Sequence, residues 1–177
     1  AGNIERAFAT LDRLPRFRGH FFNWYDLSDL RVLDPPYIST VDSGNFAGAL
    51  VTLAVGLRDR APDLAARAMA MFDGMNFRFL FDARRKLFSI GYRLPDAEAP
   101  GRLDASFYDL LASEARLASF LAIAKGDVPE MHWFHLGRSV TSVRGLPVLL
   151  SWSATIFEYL MPMLVMRTYP DTLLDQS

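Results

Sequence analysis

Prolines divide this chain, and the stretches between them limit what it can fold into. A proline has no backbone N–H and a locked φ, so it starts or ends a helix and stays out of a central strand. Ile4, Ala7, Phe8 and Leu11 share one helical face, and residues 15–19, opening with Pro15, end that helix. Residues 20–26 and 30–33 read as short strands or extended loop around a Ser28-Asp29 turn, stopped by Pro35-Pro36. A second helix is expected over residues 43–59, with Asp42 or Ser43 as its cap and Gly44 in its first turn. Pro62 opens a third, over residues 63–75. Residues 77–82 and 87–92 look like a hairpin about the turn 83–86, and a loop at 94–101 leads to a fourth helix over 107–125. Residues 129–145 read as irregular, a fifth helix is expected over 153–165, and Pro170-Asp171 opens a sixth.

This order has no βαβ alternation and no Gly-rich phosphate loop. It suggests an all-α fold, a partial (α/α)6 toroid of helical hairpins with short β-hairpin loops on one face. A length of 177 residues suits one domain and one core. The net charge of −1 offers no basic stripe, so nucleic acid is not an expected partner. With 0 Cys, the chain has neither a disulfide framework nor a thiolate site. No signal peptide is expected, because the start runs directly into a helical pattern. The best membrane-span candidate, residues 146–166, carries Ser151, Ser153, Thr155 and Glu158 and is broken by Pro162, so it reads as a core helix and no transmembrane segment is expected.

Aromatic residues make up 13% of the chain, more than a minimal core needs. Most of the Phe residues are assigned to packing, whereas Trp and Tyr, with a polar edge and an apolar face, are candidates for stacking on rings. Glu114 falls among Leu110, Leu111, Ala112, Ala115, Leu117 and Ala118. A carboxyl group there must be paired, with Arg116 or another Arg, or its pKa rises and it becomes an acid. Tyr108 and Asp109 stand upstream, near the expected helix start. Glu158 is a second carboxylate in an apolar stretch beside Trp152, either a substrate contact or a hydrogen-bonded core residue. Pro162 has no N–H for the Glu158 carbonyl, so a kink is expected there. His132 and His135 lack a companion carboxylate at metal-site spacing, so neither a metal nor a cofactor is expected, and Trp133, His135 and Arg138 read as sugar contacts or packing. Trp24, Tyr25, Asp26 and Asp42 stand on loops or helix starts, where binding residues tend to be displayed. Carboxylates that move protons and aromatics that stack on sugar faces are the mix that carbohydrate chemistry needs.

Several of these runs, Phe21-Phe22-Asn23-Trp24-Tyr25-Asp26, Ser39-Thr40-Val41-Asp42-Ser43-Gly44-Asn45, Phe107-Tyr108-Asp109-Leu110-Leu111-Ala112-Ser113-Glu114-Ala115-Arg116, Trp133-Phe134-His135-Leu136-Gly137-Arg138 and Phe157-Glu158-Tyr159-Leu160-Met161-Pro162, resemble the glycoamylase-like middle region of cyclic β-1,2-glucan synthases. The resemblance covers nearly the whole chain, in order. It implies that residues 1–177 form roughly half of one (α/α)6 domain. The rest of the barrel and the flanking domains would belong to a bacterial inner-membrane parent, with this part soluble and on the cytoplasmic side. It also implies a β-1,2-glucan oligosaccharide or polysaccharide as substrate and cyclisation by retaining transglycosylation, with an inverting endo-β-1,2-glucanase and a non-catalytic glucan-binding module as alternatives. By the same match Glu114 is the catalytic carboxylate, the nucleophile. Asp42, Asp109, Arg116 and Glu158 would orient sugars or tune it, and Trp24, Tyr25, Tyr108, Trp133 and Trp152 would stack. The partner Glu of a Trp-Gly-x-Ser-Glu-Ser motif is absent from this sequence, so the segment alone is expected to be inactive.

Overall fold

In the computed structural model, which describes residues 2–97 and 99–177, an 18-residue helix at Thr40–Leu57 is the centre of the packing. In chain order the helices are α1 (Gly2–Leu11), α2 (Thr40–Leu57), α3 (Pro62–Gly74), α4 (Arg116–Ala124), α5 (Met131–His135), α6 (Ile156–Leu160) and α7 (Leu173–Gln176). The core lies where α2 meets α3 and α4. Small residues make the α2–α4 contact close: a Cβ at Gly44 would fall 2.5 Å from the Ala118 Cβ, and one at Gly48 would fall 2.9 Å from Leu117 Cδ2. By length and composition alone α2 is long and apolar enough to cross a membrane. The expectation had looked to residues 146–166 instead, which form a strand, a loop and two short helical turns.

The all-α expectation does not hold. Helix accounts for 41% of the chain and strand for 19%, in four small sheets. β1 (Arg16–Phe17) pairs with β2 (His20–Phe21), and β3 (Tyr37–Ser39), β6 (Gly91–Arg93) and β7 (Arg102–Leu103) form a second sheet. β4 (Phe81–Asp82), β5 (Leu87–Ser89) and β8 (Phe107–Tyr108) form a third, and β9 (Val140–Val143) with β10 (Leu146–Leu149) the fourth. All these pairings are antiparallel. The strands are 2 to 4 residues long, too short to display an alternating pattern, and distant loop segments pair to build them.

Three expected boundaries also move. The cap of α2 is Ser39, whose hydroxyl accepts from the Asp42 N–H at 3.2 Å, so Asp42 stands in the first turn. The expected helix over 107–125 is strand at Phe107–Tyr108 and helix only from Arg116. The reason is pairing: Phe107 and Tyr108 lie opposite Ser89 and Phe88, while bridges join Leu110 to Gly137 and Ala112 to Ser151. The expected helix over 153–165 is α6 followed by a 3-10 turn at Met161–Leu164, the change falling where Pro162 cannot donate.

Candidate active site

Glu114 stands in the turn just before α4, on a segment held from both sides by the bridges to Gly137 and Ser151. The Ser151 bridge brings Trp152 beside Tyr108 and Asp109. Trp152 Nε1 donates to Asp109 Oδ1 at 2.9 Å, and the Trp152 and Tyr108 rings lie 6.1 Å apart at 51°. Trp152 keeps half its surface exposed, so an indole face stays open on the flank of Glu114's segment.

The charges around Glu114 are acidic. Burial raises its pKa, and the carboxylates of Asp42 and Glu158 raise it further. The Glu114 side chain is half-buried and has no hydrogen-bond or ion-pair partner among the described residues. Burial also raises the Tyr108 phenol, followed by the charges of Glu114, Tyr37, Asp42 and Glu158. Tyr37 is pushed up to about 12 by burial and by Asp104, with Asp42 adding to it and Arg93 opposing. These groups therefore share one field, with both phenols protonated at neutral pH. Tyr37 and Asp104 were not among the residues read from the sequence. Nothing marks Asp104, and the only signal at Tyr37 is its place just ahead of the Ser-Thr-Val-Asp run.

Glu158 is differently held. Its carboxylate accepts from the hydroxyls of Ser151 (3.1 Å), Ser153 (2.8 Å) and Thr155 (3.3 Å), and from the backbone N–H groups of Trp152 (3.1 Å), Ser153 (3.1 Å) and Thr155 (3.2 Å). Burial pushes its pKa up, yet these hydrogen bonds outweigh burial and hold the carboxyl below its ordinary range. With Thr155 it closes the capping box of α6. Its chemistry is to wrap the loop that carries Trp152.

Arg116 does not pair with Glu114. Its buried guanidinium donates through Nη1 to the carbonyls of Ser113 (3.2 Å) and Glu158 (2.7 Å), and through Nη2 to that of Tyr159. Burial lowers its pKa to about 10. Arg138 likewise closes α5, donating to the carbonyls of Leu136 (2.5 Å) and Trp133 (2.7 Å), and burial lowers its pKa. His135 Nδ1 lies 2.7 Å from the Met131 carbonyl. Both ring nitrogens of His132 are engaged, by the Lys86 carbonyl at 2.9 Å and the Ser119 hydroxyl at 2.8 Å.

The expected site residues other than His135 fall into three groups. Asp42, Tyr108, Asp109, Glu114, Trp152 and Glu158 come together. Trp133, Arg116 and Arg138 line a groove of about 740 Å³ with Phe120, Phe134 and Met163, whose walls include none of Asp42, Tyr108, Glu114 or Trp152. Trp24, Tyr25 and Asp26 belong to the first loop. There the Tyr25 hydroxyl donates to the Pro15 carbonyl (2.7 Å) and accepts from the Phe22 N–H (2.8 Å), while Asp26 accepts from Ser28 N–H at 2.8 Å. Tyr25 and Asp42 share the lining of a cavity of about 260 Å³, which ties this loop to the edge of the carboxylate group, and Trp24 stands half-exposed.

Comparison with solved structures finds the same fold in a Bacteroides caccae protein assigned as a glucoamylase, at a TM-score of 0.73 and 14% identity over 92% of this chain. Among curated proteins, the cyclic β-(1,2)-glucan synthase NdvB of Rhizobium meliloti is 28% identical over 98% of this chain. The chain has a glucoamylase-like fold and is similar in sequence to part of a glucan synthase. It spans 10% of the length of that synthase and 43% of the Bacteroides chain. No protein-family model matches the chain. Its unpaired carboxyl group and open indole face are the features within it that suit a sugar.

Proposed function

We propose that this glycoamylase-like region processes β-1,2-glucan, with Glu114 as the group that moves a proton at the glycosidic oxygen. The observation that carries the reading is Glu114 itself: a half-buried carboxyl group without a partner, its pKa raised by burial and by Asp42 and Glu158. A carboxyl group whose pKa is raised suits a general acid, and an ionised, hydrogen-bonded one suits a nucleophile. This favours the proton-donor role over the nucleophile role that the resemblance implies. Asp42 and Asp109 would accept hydrogen bonds from sugar hydroxyls, and Tyr108 and Trp152 would stack against a ring. Glu158 would act indirectly, by shaping the Trp152 loop.

In this reading the reaction is a retaining transglycosylation. A carboxylate outside the chain attacks the anomeric carbon as the glycosidic bond breaks and Glu114 gives its proton to the leaving oxygen; Glu114 then takes the proton of the incoming sugar hydroxyl as the new glycosidic bond forms and the glycosyl–carboxylate bond breaks. The chain would be part of a larger domain in a multidomain bacterial protein. Its 43% coverage of the Bacteroides structure and the apolar groove at Phe120, Phe134 and Met163 support that.

The test is incubation of the complete domain that contains this segment with linear β-1,2-glucan and mass analysis of the products, for wild type and Glu114→Gln. Products one water lighter than linear chains, lost in the variant, support cyclising transglycosylation. Shorter linear chains from the wild type replace it with hydrolysis. Glucan that binds and stays unchanged replaces it with a binding module.

A further inference from the structure

Resting on that reading, we propose that Tyr37, oriented by Asp104, is a substrate-binding residue whose phenol oxygen holds a glucosyl hydroxyl on the Asp42 side of Glu114. Tyr37 is the first residue of β3, which runs directly into α2 and its first-turn Asp42. Its ring is seated on glycine: a Cβ at Gly91 would lie 2.2 Å from the Tyr37 hydroxyl oxygen and 2.3 Å from Cζ. Only a residue without a side chain lets the phenol fold across that strand, so the ring position is built in.

Asp104 is aimed as well. Its N–H donates to the Gly91 carbonyl at 2.9 Å, and its Oδ1 accepts from the Ser106 N–H at 3.2 Å. Oδ2 is left for the Tyr37 hydroxyl, at 3.4 Å. A phenol has one proton to donate and lone pairs to accept with. With the proton directed to Asp104, the lone pairs are free for a donor, and every unit of a glucan supplies hydroxyl donors. The 3.4 Å separation is long for an O–H···O bond. Contacts of this kind commonly tighten when substrate arrives.

Electrostatics agree. Asp42 acts on the Tyr37 phenol, and Tyr37 acts on Tyr108, which also feels Glu114. The Tyr37 oxygen is thus an uncharged acceptor among carboxylates, and it binds a hydroxyl without adding negative charge beside Glu114.

Tyr37→Phe keeps the ring on Gly91 and removes only the oxygen, so folding is retained. Steady-state kinetics of the complete domain that contains this segment on linear β-1,2-glucan, with thermal unfolding alongside, separate the outcomes. The proposal expects KM to rise about tenfold, the loss of one substrate hydrogen bond, with kcat within about twofold and an unchanged melting temperature. Asp104→Asn is expected to raise KM in the same direction by less. An unchanged KM in Tyr37→Phe, or a fall in melting temperature as its only effect, overturns the Tyr37 assignment and leaves the Glu114 reading standing. A wild-type complete domain that neither binds nor converts the glucan overturns both.

Discussion

Arg116 Nη1 donates at 2.7 Å to the carbonyl oxygen of Glu158, the oxygen that Pro162 leaves without its helical donor. A defect written by one residue is thus repaired by another 42 positions away in sequence. The same guanidinium reaches the Ser113 and Tyr159 carbonyls, so the turn that carries Glu114 and the end of α6 move as one piece.

Replacing Arg116 with Met is therefore expected to leave three backbone carbonyls unmet and to lower stability by about 3 kcal/mol, read from the urea midpoint. Arg116→Lys should recover only part of this, because an ammonium is a point donor and the guanidinium a planar fork.

Glu158→Gln replaces one carboxylate oxygen with an amide donor that faces other donors. A loss of about 2 kcal/mol is expected at neutral pH. The pKa of Glu158 is depressed in the folded state, so its contribution is present above the ordinary value of 4.5 and lost as pH falls through the folded one. In the variant, urea midpoints measured down the acid limb should change less steeply than in wild type.

His20 is fully buried, its Nδ1 is 2.9 Å from the Ser43 hydroxyl, and burial lowers its pKa from 6.5 to about 4. The unfolded chain takes up this proton first as pH falls. Stability is then complete above pH 6.5 and declines toward pH 4, by about 3 kcal/mol in all. His132, also lowered by burial, acts in the same direction. Melting temperatures between pH 7 and about pH 5 should fall in wild type and fall less in His20→Gln.

Ala154 has φ +53°, in the left-handed region, within the loop that wraps Glu158. A glycine carries no Cβ penalty there, whereas alanine does. Ala154→Gly is expected to raise stability by about 0.5–1 kcal/mol, a shift in the urea midpoint at constant slope.

Proline made much of the fold legible. Pro62 starts α3 at its first residue, and the segment after Leu11 ends α1, as the sequence suggests. The stretch 107–125 misled for a physical reason. Its alanines and leucines have helical spacing, yet pairing with residues 88–89, 137 and 151 pulls its first half into extended backbone. Local preference is a weak prior against such contacts. For Glu158 the apolar surroundings and the kink at Pro162 were readable. The six donors around its carboxylate were not, because they come from four residues of a loop whose shape depends on the carboxylate itself. Tyr37 and Asp104 sit 67 positions apart, and only the sheet brings them together.

The β9–β10 hairpin turns at Arg144 and Gly145, both at positive φ, and most of its residues are exposed. Just outside it, the Leu150 N–H donates to the Ser139 carbonyl at 2.8 Å, so the two strand ends are fastened together at the base. The exposed tip around Arg144 and Gly145 can be lengthened, shortened or exchanged while the buried Leu149 holds the base and Ser151 and Trp152 keep their distance from Asp109. In descent this arm is free to vary and acquire new surface. For the engineer it is a socket, where a tag or a second module attaches without disturbing the carboxylates.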